Sequence, residues 1–356
     1  MPEKKKQHFV SKFLYKRFAS DAEQLLIHLY HIKSNKIINN IPLKDQSQED
    51  YYYGSDLVFE EYLGITESAA APIIEEMIAN EWVPQFEDPK FQKLLHFVML
   101  YEWRTKASVD QTENYLNEMF REVAKYDSRL KPFNFETNRL KHKEPAAFNL
   151  GYYMESWVVA ADLIPFLLIN QTDKLFIISD NPLIKYNPYM QERFCYWASN
   201  SILSKGLIYL FPISPRHYIM LIDPATYDVC TTENNLIIID DNSDVDQINL
   251  LQAIAADRNL YFTIYEQQDY LKELATQTRN NKINKVEKQL LDNPQKTGSK
   301  SLFAYQLYHK LQFFFSFIRV GKEAQIYDTS KRLFHPRNQY IVDFIQNLGD
   351  KKSHLL

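Results

Sequence analysis

The chain predicts an α+β fold, a helix-rich N-terminal and middle part packed on a small mixed β-sheet. Between residues 56 and 126 apolar positions recur at intervals of three and four, the helical period. Between 174 and 240 they fall instead in short unbroken runs that stop at proline-containing turns. Helical spacing then returns over Val245 to Arg258, with Ile248, Leu251 and Ile254 on one face.

Taken in order, Gln24 to Ile32 and Lys36 to Ile41 flank the turn-prone Lys33-Ser34-Asn35 and read as a β-hairpin. His28 and His31 on its first strand are three apart, so they face opposite ways and do not form a paired metal site. Asp56 to Asn80, Pro89 to Ala107 and Thr112 to Tyr126 read as helices. Lys174 to Ser179 is a buried strand stopped by Asp180-Asn181-Pro182, because proline continues neither helix nor strand. Gly206 to Phe211 leads into Pro212-Ile213-Ser214-Pro215, Tyr218 to Ile222 into Asp223-Pro224, and Leu236 to Asp240 adds a short strand. Leu302 to Val320 reads as a helix, and Phe334-His335-Pro336-Arg337 as a turn. The expected organisation is a main domain over 1–270, a polar linker or exposed helices over 271–301, and a basic, aromatic-rich appendage over 302–356. Phe313, Phe314, Phe315 and Phe317 would dock the appendage, since they are costly left in water.

With 356 residues, 45% hydrophobic and 24% charged, the chain can bury a full core. It has seven glycines, none close to another, so no P-loop or Rossmann fingerprint can be built. Those motifs need several glycines a few residues apart to bring backbone amides against a phosphate. Cys195 and Cys230 are too few and too far apart for a zinc ribbon, a CxxC site or a disulfide framework. The basic start lacks an apolar stretch behind it, and no apolar run reaches a bilayer span, so a cytoplasmic protein without membrane association is expected. Net charge is −4, but residues 276–356 carry +8 and residues 1–275 carry −12. Such a basic region can meet nucleic acid or a nucleotide; a solvated helix face has the same composition. Nothing in the pattern speaks to oligomeric state.

HExxH, GxSxG and EF-hand spacings are absent, so candidate chemistry rests on position. Arg104 projects from an apolar helix face that includes Phe97 and Leu100, and a guanidinium there needs a carboxylate or a phosphate. Glu60 and Glu67, seven apart, share a face of the preceding helix if Gly64 does not break it, and they can supply the carboxylate. Asp180 stands where a buried strand reaches its turn, with Ser179 and Asn181 beside it; it is either a positioned carboxylate or an Asx-turn cap. His8 opens His8-Phe9-Val10-Ser11-Lys12-Phe13-Leu14; in a helix this would set Lys12 one turn on.

The segments HFVSKFLYKRFA, FEEYLGITESAAAPIIEEM, WRT, FIISDNP, FPISPRH and INLLQAIAADRNLY occur in an order that resembles the bacterial domain-of-unknown-function family 4238, over about residues 7–265. The family pattern has a proline where Ser11 stands. The resemblance implicates His8, Tyr52, Glu67, Arg104, Ser179, Asp180, Asn181, Ser214 and Pro215, and it brings no established activity. If the polar members converge, their types suit phosphoryl chemistry. The leading expectation is a nuclease-like phosphodiester hydrolase. In it Glu67 and Asp180 hold Mg2+ or Mn2+, His8 is base or ligand, and Arg104 clamps phosphate. Lys12, Tyr52, Ser179, Asn181 and Ser214 contact substrate. The alternatives are a metal-free nucleotide transferase and a non-catalytic binding module in which the same residues form a buried ion network.

Overall fold

The computed structural model describes residues 5–130, 132–135, 137–193, 201–231, 233–283, 285–292, 300–325, 337, 338 and 340. Cys195, most of the Phe334–Arg337 turn and the linker residues 293–299 lie outside these. The chain is an α+β protein. Strand β1 (Lys6–His8) leads to a short helix α1 (Lys12–Lys16), the hairpin β2 (Leu26–His31) and β3 (Lys36–Pro42), and β4 (Gln48–Asp50), which pairs antiparallel with β1. Helices α2 (Val58–Asn80), α3 (Pro89–Arg104), α4 (Lys106–Val123) and α5 (Pro145–Ser156) follow. Asp88 caps α3 by accepting from the Lys90 amide, with Pro89 at the first helical position, where its missing N–H costs nothing. Thr105 ends α3 and caps α4, so the Arg104-Thr105 pair sits at the junction of two helices.

The sheet region runs through β5 (Ile164–Asn170), β6 (Ile178–Ser179), β7 (Ile184–Tyr186), the short α6 (Pro188–Glu192), β8 (Ile208–Ser214), β9 (His217–Ile222), β10 (Tyr227–Val229), β11 (Leu236–Ile239), α7 (Asn242–Ala255) and β12 (Asn259–Phe262). Helix α8 (Gln268–Asn281) and strands β13 (Lys285–Asp292), β14 (Lys300–Leu307) and β15 (Ile318–Val320) complete it. Two sheets dominate: a mixed one in the order β11-β5-β9-β8-β7, with only β11 and β5 parallel, and an antiparallel one in the order β3-β2-β12-β6. Side chains alternate across the first sheet. Leu167, Tyr209, Phe211 and Ile219 face a core shared with α2 and α3, whereas Leu168, Ile208, Leu210 and Met220 face one shared with α7. Burial on both faces is why β8 and β9 are apolar almost throughout.

Several expectations are corrected. His8 and Leu14 do not share a helix: His8 closes β1, and α1 starts only at Lys12. Of the run Lys174 to Ser179 only Ile178 and Ser179 are strand, since β12 offers two pairing positions there. Strand β8 continues through Pro212 to Ser214, and proline is tolerated because the pairing with β9 shifts register at that point. Strand β5, not among the elements expected from sequence, joins the parallel and antiparallel parts of the larger sheet.

The largest correction lies at the C-terminal end. Leu302 to Val320 is not helical: β14 is followed by an extended segment in which Phe313, Phe315 and Phe317 are buried and Phe314 is 67% exposed, a period of two. The three buried rings belong to the α7-side core, Phe314 does not, and β15 pairs with β10. Residues 271–301 hold most of α8, all of β13 and the start of β14. Part of the basic excess is consumed internally, as Lys288 pairs with Glu118 and Glu122, and Arg337 with Asp162.

This packing predicts a pH response. His309 is sealed beside Tyr186 and Phe313, and burial pushes its pKa down to about 4. The fold therefore favours the neutral imidazole. The stability this confers is complete above the unfolded value near 6.5 and is lost as pH falls from there toward 4, to a total of about 3 kcal/mol. Urea unfolding between pH 7 and 4 is expected to show a visibly steeper loss for the wild type than for His309→Phe; parallel curves would refute the assignment.

Candidate functional site

The site is built around Arg104, the last residue of α3, whose side chain is 1% exposed. Nη1 donates to Glu67 Oε1 at 2.8 Å, Nη2 to the His8 carbonyl at 2.8 Å, and Nε to the Tyr53 hydroxyl at 3.4 Å. Its guanidinium carbon lies 5.1 Å from the centre of the Tyr101 ring, and the Tyr101 hydroxyl accepts from the Ser11 amide. One cation thus ties β1, α2 and α3 together. Gln7 assists by accepting from the Tyr53 amide and donating to the Gly54 carbonyl.

Above this anchor opens a cavity of about 450 Å³ lined by His8, Lys12, Lys16, Glu60, Glu67 and Arg104. The space arises on α2, where Gly64, Ser68 and Ala71 present small side chains at helical spacing toward α1. A Cβ added at Gly64 would meet nothing within 4 Å. Gly64 does not break α2, so Glu60 and Glu67 share one face. His8 Nε2 lies 3.0 Å from the Lys44 carbonyl, which can only accept; that nitrogen therefore carries the proton, and Nδ1 keeps its lone pair. Burial lowers the His8 pKa, against the raising effect of the Lys44 carbonyl, so the ring is a neutral base near pH 7. Lys12 and Lys16 are exposed, one turn apart on α1, and make no ion pair among the described residues.

Of the residues singled out from sequence, His8, Lys12, Glu60, Glu67 and Arg104 meet at this cavity, whereas Tyr52, Ser179, Asp180, Asn181 and Ser214 do not line it. Asp180 is 4% exposed and turned to the α7–β12 junction: Oδ1 accepts from the Asp257 amide, and Oδ2 from those of Arg258 and Asn259, all at 2.9–3.0 Å. Burial and the Asp257 charge raise its pKa to about 6, against the opposing pull of the three amides. It is a cap, but on a partner segment rather than on its own backbone. With both oxygens so engaged, Asp180 does not fit a divalent ion shared with Glu67. Ser179 is buried and accepts from Gln252 and the Asn181 amide; Asn181 accepts from the Thr105 hydroxyl and donates to the Ala255 carbonyl. These bonds knit the α3–α4 junction to α7. Ser214 pairs with His217 at the tip of the β8–β9 hairpin. Tyr52 packs on Phe9 and Tyr53, and its buried hydroxyl has no partner among the described residues.

Tyr53, Gln7, Tyr101 and Lys16 were not singled out. Of these, Lys16 carried a legible signal, lying four residues after Lys12 in a segment expected to be helical. Among the described residues no three His, Cys, Asp or Glu side chains are grouped to hold a metal ion. The carboxylates at the cavity are Glu60 and Glu67. Among the described residues no helix is long and apolar enough to cross a membrane.

Fold and site together define an α+β protein with a charged, ligand-sized hollow pinned to its N-terminal strand. The chain belongs to the family described as Protein of unknown function (DUF4238), whose model matches residues 6–266. No curated protein and no solved structure matches it.

Proposed function

We propose that the cavity between α1 and α2 binds and cleaves a phosphodiester, making the protein a nuclease-like hydrolase of nucleic acid or nucleotides. The observation that carries this reading is the meeting of an imidazole poised as a base, two lysines without an ion pair among the described residues, and an Arg–Glu pair, drawn from three separate segments, on one open cavity. Lys12 and Lys16 hold the phosphate oxygens. His8 takes a proton from the attacking water, whose oxygen bonds to phosphorus as the ester oxygen leaves with its electron pair. Arg104 fixes Glu67 and contributes positive potential from below. Were Mg2+ or Mn2+ to assist, Glu60 and Glu67 are the donors at hand, and the ion would neutralise charge on the phosphate.

The test is a panel of RNA, DNA and nucleotides, each with EDTA, Mg2+ and Mn2+. His8→Ala is expected to lower turnover at least about 100-fold, the usual worth of a general base. Gly64→Leu is expected to abolish turnover by filling the cavity while leaving the melting temperature unchanged or raised, since a helical glycine is being replaced. No turnover on any member, or full activity in both variants, would sink the reading.

One observation favours a second reading, a binding module with a structural ion network: each nitrogen of Arg104 already has a protein acceptor. It requires the panel to be silent while Lys12→Ala weakens retention of an oligonucleotide.

A further inference from the structure

A second cleft, of about 460 Å³, lies where the β13–β14 hairpin approaches α4 and β7. Its size falls within the range of small-molecule sites, roughly 300–1,000 Å³. It opens on another side of the molecule from the first cavity: Glu102, which lines it, is two residues from Arg104 on α3, about 200° around the helix axis. The walls are tied together rather than merely adjacent. Lys288 on β13 bonds Glu118 on α4 at 2.9 Å, and the Tyr308 hydroxyl, just past β14, donates to Gln111 Oε1 on α4 at 2.9 Å.

Two features of the lining point to one kind of occupant. Tyr115, Tyr305 and Tyr308 line both walls with aromatic rings, and Phe148, itself stacked on His142, lies beside them. A planar ring stacks on such faces with little regard to its identity. In the same cleft sits the Glu102–Lys185 ion pair, with side chains only 12% and 16% exposed. A largely buried carboxylate beside an ammonium presents an acceptor and a donor at fixed spacing. That edge discriminates among planar rings. Guanine alone among the common bases offers two adjacent donors, N1–H and the N2 amino group, to one carboxylate, and its O6 then faces the ammonium. Adenine and cytosine offer one donor beside one acceptor, one bond fewer.

We propose that this cleft is a binding site for a guanine base, stacked among the tyrosines and read at its edge by Glu102 and Lys185. The site is independent of the hydrolase reading, because it shares no lining residue with the first cavity and its test reads binding alone. Two of its tyrosines, Tyr305 and Tyr308, lie beyond the matched family region, whereas Tyr115, Glu102 and Lys185 lie within it, so the cleft is completed by this chain's C-terminal part.

The test is calorimetric titration of the full chain with guanosine, adenosine, cytidine and uridine. Guanosine is expected to bind at least tenfold more tightly than the other three. Tyr115→Leu and Tyr305→Leu are each expected to weaken guanosine binding about tenfold. Glu102→Gln is expected to erase the preference. Should Glu102→Gln fail to fold because Lys185 loses its partner, Glu102→Gln combined with Lys185→Met carries the same expectation. No binding of guanosine at millimolar concentration, equal affinity for all four nucleosides, or guanosine binding indifferent to both tyrosine variants would each overturn the proposal.

Discussion

Replacing Arg104 with leucine is expected to destabilise the protein by about 3–5 kcal/mol, the usual consequence of removing one partner of a buried ion pair. Three groups lose a donor at once: the Glu67 carboxylate, the His8 carbonyl and the Tyr53 hydroxyl. Glu67→Gln should cost less, because Glu67 is a quarter exposed and glutamine still offers an oxygen to the guanidinium. Arg104→Lys should fall between the two; an ammonium keeps the charge but cannot reach three acceptors with the geometry of a planar fork. Urea unfolding of the three variants checks the order. An Arg104→Leu protein within about 1 kcal/mol of wild type would mean that β1 and α2 hold their places without it.

Asp180→Ala is expected to be nearly as damaging, at about 3 kcal/mol or more, because three amides of residues 257–259 lose their acceptor inside the protein. The same substitution leaves the α1–α2 cavity intact, so any activity there should survive in the fraction that stays folded. The measurement is paired: unfolding free energy, and turnover per folded molecule. Unchanged stability with abolished turnover would return Asp180 to a chemical role.

These two residues also show how far the sequence can be read. Arg104 was legible because a guanidinium on an apolar helical face needs a partner, and the preceding helix offered Glu60 and Glu67 on one face. His8 and Lys12 both line the cavity although the segment between them turns from strand to helix rather than continuing as one helix. Asp180 was misplaced for a different reason. A carboxylate at a strand end has the same sequence signature whether it faces a substrate or caps amides 77 residues away, and backbone amides carry no residue identity. Tyr53 was hidden among Tyr51, Tyr52 and Tyr53: which ring turns inward is decided by the backbone, where Tyr51 takes a positive φ of 52°. The phenylalanine run at 313–317 is nearly continuous, so period two and period 3.6 are indistinguishable until the alternation of burial is seen.

That alternation has a practical corollary. A chain shortened at residue 266 would keep every matched family residue and yet lose the three phenyl rings that cover one side of its larger sheet, together with the partner of β10. Tyr186, Ile208 and Tyr218 would then meet water as a bare greasy floor, inviting molecules to clump through it. The limit of family likeness is therefore not a place where this polypeptide can be cut and remain well behaved.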